Sequence, residues 1–282
     1  MLIDQELIVA ALAGARNASG PNTRLTCPLC PVRHGKPDRK QSLSVNTLTG
    51  AYLCFRCHVA GYLPGMSFAG AESTPIERPK MALPEGFEFL SGYKLRGSLA
   101  AQEARDYLRN RGVCEDLWAA AKIGACLVGR YAGRVVVPIF DAQAESGIVG
   151  WVARSWIPTE KPYLYPKGMQ RVLYNGSILQ QETDEPAILV EGVFDALACW
   201  PSGVACLGKP SEEQFEMLLD ACRPIAVVLD GDAHEEGWAF AQRLRFYGKR
   251  AGCVRLPPAA DPDEVDGAWL REQARECLTH DS

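Results

Sequence analysis

The sequence predicts an α+β multidomain chain, and three observations carry that expectation. Two CxxC pairs, Cys27 with Cys30 and Cys54 with Cys57, are separated by a spacer of 23 residues near the front. From Pro186 onward, short β-branched runs alternate with helical patterns, the rhythm of a parallel sheet covered by helices. Between them, RVVVPIFD and GIVGWVAR flank the turn-like AQAES segment, a hairpin signature. The expected order is a small four-cysteine zinc ribbon over 1–63, a linker over 64–95, an α+β segment over 96–180 and a Rossmann-like parallel α/β domain over 181–282.

Each element has its own cause. Leu2, Ile3, Leu7, Ile8, Ala11 and Leu12 recur at helical spacing, so a short amphipathic helix opens the chain and ends near Gly14. SLSVN and AYLCF read as two strands joined by a turn at 47–50. From Pro64 to about Leu95 the chain is rich in Pro, Gly, Ser and Glu without a sustained period, which is linker composition. Ala101, Ala104, Tyr107 and Leu108 then share one helix face, with Gly112 as its stop, and a second helix is expected over 114–122. Beyond Pro186 the order reads AILV, VFDALACW, GVACLG, SEEQFEMLLDAC, PIAVVLD, EEGWAFAQRLRFYG and RAGCVRLP, with a last helix over about 264–277.

Composition bounds the function classes. With 282 residues and 47% hydrophobic content, the chain is long enough to bury a full core. It holds no run of about eighteen apolar residues, and Asp4 and Glu6 stand where an export signal would be basic, so a cytoplasmic protein is expected. Eleven cysteines, an odd count, point to reduced thiols and metal ligation rather than disulfides. The net charge of −4 hides a split: residues 1–175 carry 21 Lys and Arg against 14 Asp and Glu, and residues 176–282 carry 9 against 20. A basic front suits a nucleic-acid backbone, and an acidic back suits cations.

The two CxxC pairs are the stronger metal signal. Each pair forms a knuckle that aims two thiolates at one point, and two knuckles close a tetrahedral Zn²⁺ site with no place left for water. The zinc, held by Cys27, Cys30, Cys54 and Cys57, is therefore expected to be structural; His34 and His58 are competing ligands nearby. Arg24, Arg33, Lys36, Arg39, Lys40 and Arg56 surround the knuckles, interleaved with Tyr52 and Phe55. These aromatics either stack on unpaired bases or pack a small core.

The second signal is three acid clusters: Glu191 and Asp195, Asp230 and Asp232, Asp261 and Asp263. The first two clusters directly follow apolar runs, so they sit where buried strands end, the edge at which open parallel sheets bind ligands. One Asp after a strand is commonly a helix cap or turn former. Six carboxylates on one rim raise one another's pKa unless divalent cations neutralise them, which implies Mg²⁺ or Mn²⁺ and phosphoryl-transfer chemistry.

Together the cysteine module, the α+β segment and the acid-bearing domain resemble DnaG-type DNA primases of bacteria and phages. VEGVFD, LDGD and DPD correspond to that family's toprim motifs, and ARDYLRNRG, RVVVPIFD and GIVGWVAR look like the amino-terminal part of its RNA polymerase core. The resemblance implies a nucleotidyltransferase that makes short RNA primers on single-stranded DNA from NTPs during DNA replication. It implies Glu191, Asp230 and Asp232 as catalytic residues, all six acids as Mg²⁺ or Mn²⁺ ligands, and Arg134, Arg154, Lys161 and Lys167 as nucleotide- and template-binding residues. No GxxxxGK[ST] loop is present, so a separate replicative helicase is the expected partner. The sequence departs from the family pattern after the DxD, where four residues precede Gly237 and leave the start of the next helix open. The alternative is a toprim nuclease or a RecR-like recombination mediator without polymerase activity, which has little need of the 134–154 hairpin.

Overall fold

The computed structural model describes residues 3–14, 22–47, 50–63, 79–92, 95, 97–140, 147–170 and 172–279. Two compact units form, one on Met1–Ile76 with Phe246–Gly248, the other on Glu77–Arg245 with Lys249–Ser282.

The first unit contains α1 (Ile3–Ala13), β1 (Asn22–Leu25), α2 (Cys30–His34), β2 (Leu43–Asn46), β3 (Ala51–Cys54) and β4 (Ala60–Tyr62). The strands form an antiparallel meander in chain order. The expected strands are β2 and β3, and the turn between them reaches Gly50, which takes φ +73° where a side chain would be strained. Ile8 and Leu12 of α1 pack with Leu43, Val45 and Tyr52 in the small core. Tyr52 is thus a core residue, whereas Phe55 lies beneath the Arg24 guanidinium at 4.4 Å. Strands β1 and β4 were not legible in sequence, because each is a short polar or glycine-containing run stabilised by its neighbour's ladder.

In the second unit, β5 (Phe87–Phe89), α3 (Leu99–Asn110), α4 (Glu115–Ala120), β6 (Gly124–Cys126), β7 (Arg134–Phe140), β8 (Ile148–Ser155) and β9 (Tyr163–Leu164) come first. The strands form an antiparallel sheet in the order β5-β6-β7-β8-β9. The expected hairpin pair is β7–β8, and its connection over 141–146 lies outside the described residues. The linker expectation needs correction: 64–78 lies outside the described residues, but Phe87–Phe89 pair with β6, and Leu90 and Leu95 are 2% and 5% exposed in the core. Pro- and Gly-rich composition concealed a strand too short to show a period.

Then follow β10 (Ala187–Val190), α5 (Val193–Ala198), β11 (Gly203–Ala205), α6 (Glu212–Leu219), β12 (Ile225–Val227), α7 (His234–Phe246), β13 (Ala251–Cys253) and α8 (Gly267–Glu276). All four strands are parallel, in the order β11-β10-β12-β13. The last helix starts at Gly267 rather than 264, since Asp266 is the N-cap and its Oδ1 accepts the Trp269 N–H at 2.8 Å. One hydrophobic core runs through both sheets, joining Leu108, Val135 and Ile139 to Val190, Phe194 and Leu270. That shared core makes the middle segment and the parallel domain a single unit.

Candidate active site and metal centre

Strand order places the acids. The chain leaves β10 towards β11 on one side, then returns to β12 on the other, so the crevice between β10 and β12 is a topological switch point. Glu191 follows β10 directly, and Asp230 ends the extension of β12 in which the Val228 N–H donates to the Leu189 carbonyl at 2.8 Å. Asp261 and Asp263 arrive on the loop after β13. Gly231 makes their approach feasible: a Cβ there would meet the Pro257 carbonyl oxygen at 2.5 Å and the Ala259 nitrogen at 2.9 Å. Its N–H donates to the Ala260 carbonyl at 3.0 Å, binding the two acid loops together.

Glu191, Asp195, Asp230, Asp261 and Asp263 share a cleft of about 260 Å³, faced by Arg111, Tyr163 and Tyr165. Asp232 is exposed outside that lining but within electrostatic reach of Asp230 and Asp261. Asp195 has a local task as well: its Oδ2 accepts the Gly192 N–H at 2.9 Å and caps α5, a role that needs glycine because a Cβ on residue 192 would stand 2.4 Å from that oxygen. Burial, then the charges of Asp263 and Asp230, push Asp195 up to about 7. Burial and neighbouring acids also raise Glu191, Asp230 and Asp261 above the ordinary carboxylate range. This mutual repulsion is what a divalent cation relieves. Among the described residues, these carboxylates are not gathered as tightly as the four thiolates below.

The basic residues separate into different roles. Arg154 lies beside the cleft, its Nε donating to the Tyr107 hydroxyl at 3.0 Å and its guanidinium 4.4 Å over the Tyr163 ring. Lys161 and Lys167 are exposed on the segment that carries Tyr163 and Tyr165. Arg134 corrects the expectation of a groove residue. It is 8% exposed, and its guanidinium donates to the Lys161 and Pro162 carbonyls, both at 2.8 Å, so it fastens that segment to β7. Sequence reasoning missed Arg111, which follows α3 and pairs with Asp263 at 3.1 Å. The run RNRG marked a helix end, but nothing local showed that its arginine faces an acid so far along the chain. Lys209 was also missed; it sits beside the rim, held by Glu236 at 2.7 Å.

In the first unit, the Sγ atoms of Cys27, Cys30, Cys54 and Cys57 all lie within 4.8 Å of one another. Cys27 and Cys57 are 3.7 Å apart, and Cys30 and Cys54 are 3.6 Å apart. A tetrahedron of Zn–S bonds of about 2.3 Å requires about 3.8 Å between sulfurs, so the donors fit zinc. The N–H groups of Arg56 and Cys57 point at the Cys54 sulfur at 3.4 and 3.5 Å, as suits a thiolate. His34 and His58 are exposed and outside the cluster. Sequence reasoning passed over Asp38, whose buried carboxylate accepts the N–H groups of Cys27, Lys40 and Ser42 at 2.7–2.9 Å and pins the first knuckle. Burial alone would raise its pKa, but these donors outweigh that and hold it at about 2.

The family match falls on the parallel domain and its acid rim: residues 188–266, which contain all six acids, match the family described as Toprim-like. The wider resemblance is to DnaG-type primases. The DNA primase of Staphylococcus epidermidis is 24% identical over 74% of this chain and 43% of its own, and that of Halalkalibacterium halodurans is 23% identical over 90% and 54%. The chain thus spans about half the length of these curated relatives. Its fold is that of DnaG. The Aquifex aeolicus primase zinc-binding and RNA polymerase domains align over 99% of this chain and 85% of theirs, at TM-score 0.54 and 19% identity. A DnaG catalytic domain solved with single-stranded DNA aligns over 66% and 77%, at TM-score 0.51 and 22% identity.

Proposed function

We propose that this chain is a DNA primase, a nucleotidyltransferase that synthesises short RNA primers on single-stranded DNA from NTPs during replication. The observation that carries the reading is the acid rim at the switch point of a toprim-like sheet, set in a DnaG fold. The fold resemblance spans both units and the β7–β8 hairpin, which favours a primase over a toprim nuclease or a RecR-like mediator.

Glu191, Asp230 and Asp232 would be the principal holders of Mg²⁺ or Mn²⁺, with Asp195, Asp261 and Asp263 completing or tuning the site. When bound, such cations lower the charge on the triphosphate and activate the primer 3′-hydroxyl. Glu191, half-buried with a raised pKa, is suited to accept a proton from that hydroxyl or to orient the cation's water. Arg154, Lys161 and Lys167 neutralise nucleotide and template phosphates from the facing wall. The four-cysteine module holds one structural Zn²⁺ and helps choose the start site. Template strands would come from a separate replicative helicase, in the cytoplasm.

The test is synthesis on a mixed single-stranded template with NTPs and Mg²⁺, followed by sequencing of product 5′ ends. New RNA starting at preferred template positions supports the reading. Cleavage of the template, or binding without synthesis, overturns it.

A further inference from the structure

The six acids are not equivalent in their surroundings. Among the described residues, Asp263 is the one of the six that forms an ion pair with a side chain of the middle segment: Arg111 lies 3.1 Å away, with only 10% of the Asp263 side chain and 30% of the Arg111 side chain exposed. Arg111 is itself held in place. Its guanidinium lies 4.8 Å over the ring of Phe194, which immediately precedes Asp195 on α5, and 5.9 Å over the ring of Tyr107, one turn earlier on α3. Phe194 and Tyr107 meet edge to face with centroids 6.2 Å apart, so the arginine rests on a fixed aromatic corner. A planar guanidinium stacked in this way presents its fork in one direction, here towards the acid loop that follows β13.

We infer that Arg111 is a positioning residue, which neutralises Asp263 and anchors its loop, so that Asp263 braces the acid rim rather than ligating the divalent cation directly. The inference rests on the reading of that rim as a cation site. Its physical basis is a balance of charge: an arginine left unpaired at the rim would repel a cation, and an unpaired Asp263 would add a further ligand. Together they form a neutral strut between α3 and the loop. The cation is then left to Glu191, Asp230 and Asp232, with Asp195 and Asp261 completing or tuning the site.

Mn²⁺ titration of the zinc-loaded full chain, followed by electron paramagnetic resonance, separates the possibilities without reference to synthesis. Arg111→Gln combined with Asp263→Asn removes both charges together, so the Mn²⁺ dissociation constant should stay within about threefold of wild type. Asp263→Asn alone leaves the arginine unpaired and should weaken Mn²⁺ about tenfold or more. Arg111→Lys keeps the charge and should retain the wild-type constant. If the amide pair fails to fold, Arg111→Met with Asp263→Leu reads the same quantity, since apolar replacement of a partly buried pair generally preserves stability. A double variant shifted beyond threefold makes Asp263 a direct ligand and overturns the inference. Failure of the wild-type chain to bind Mn²⁺ at all overturns the cation reading itself.

Discussion

Glu191 is the residue on which chemistry and binding separate most cleanly. Glu191→Gln keeps size and hydrogen-bonding capacity but removes the charge that, in the proposed function, accepts a proton or steadies a cation. Primer synthesis should fall at least about a hundredfold, the lower range for losing a general base, while fluorescence anisotropy shows template affinity little changed. Asp195 makes the opposite trade. Its folded pKa of about 7 lies above the unfolded value of 3.8, so its contribution to stability is full below about pH 4 and is lost as pH rises through 7. Asp195→Asn can still accept the Gly192 N–H without the charge. Without added divalent cation, it should raise the melting temperature at pH 8 and change it little at pH 4, as thermal scans at the two pH values would show.

Among the elements, the rim depends on close backbone approaches that only glycine allows. Gly231→Ala would drive a Cβ against the backbone of Pro257 and Ala259, and neither is the flexible end of a side chain. The loop bearing Asp261 and Asp263 must move. Synthesis should fall about tenfold or more and stability by about 1–3 kcal/mol, the range for overpacking, measured by primer yield and denaturant melts. The zinc knuckles are the corresponding element of the first unit. Cys54→Ser removes one of four thiolates and the sulfur that accepts two N–H groups, so zinc content should fall below one per chain. Hydrogen exchange should then rise across residues 3–63 and stay unchanged across 97–245 and 249–279; reduced protection in both units would contradict the division into two compact units.

Over the chain as a whole, the basic front and the acidic back meet at one cleft, where Arg111, Tyr163 and Tyr165 face the acids. Lys161→Ala with Lys167→Ala removes two exposed cations from the segment beside the cleft, without touching an acid. Template affinity should fall, and the slope of log K against log salt should flatten by about 0.7 for each single-strand phosphate no longer neutralised. An unchanged slope would take these lysines out of the template path. Arg134 belongs in no such experiment, because its guanidinium is already committed to the Lys161 and Pro162 carbonyls.

Features with a local signal were legible in the order of residues. Cysteine spacing announced the four-thiolate cluster, β-branched runs ending in acids announced β10 and β12, and the face of Ala101, Ala104, Tyr107 and Leu108 with Gly112 as its stop announced α3. These are short-range consequences of ligand geometry, backbone period and caps, and they survive without knowledge of any distant residue. What depends on long-range approach emerged only in the folded chain. Arg111 meets Asp263 across 152 positions of sequence, Arg134 turns inward to a segment 27 residues away, and Phe87–Phe89 becomes a strand only because β6 offers a ladder. A side chain's partner is set by how sheets and helices stack, and neither hydropathy nor charge along the chain encodes that packing one position at a time.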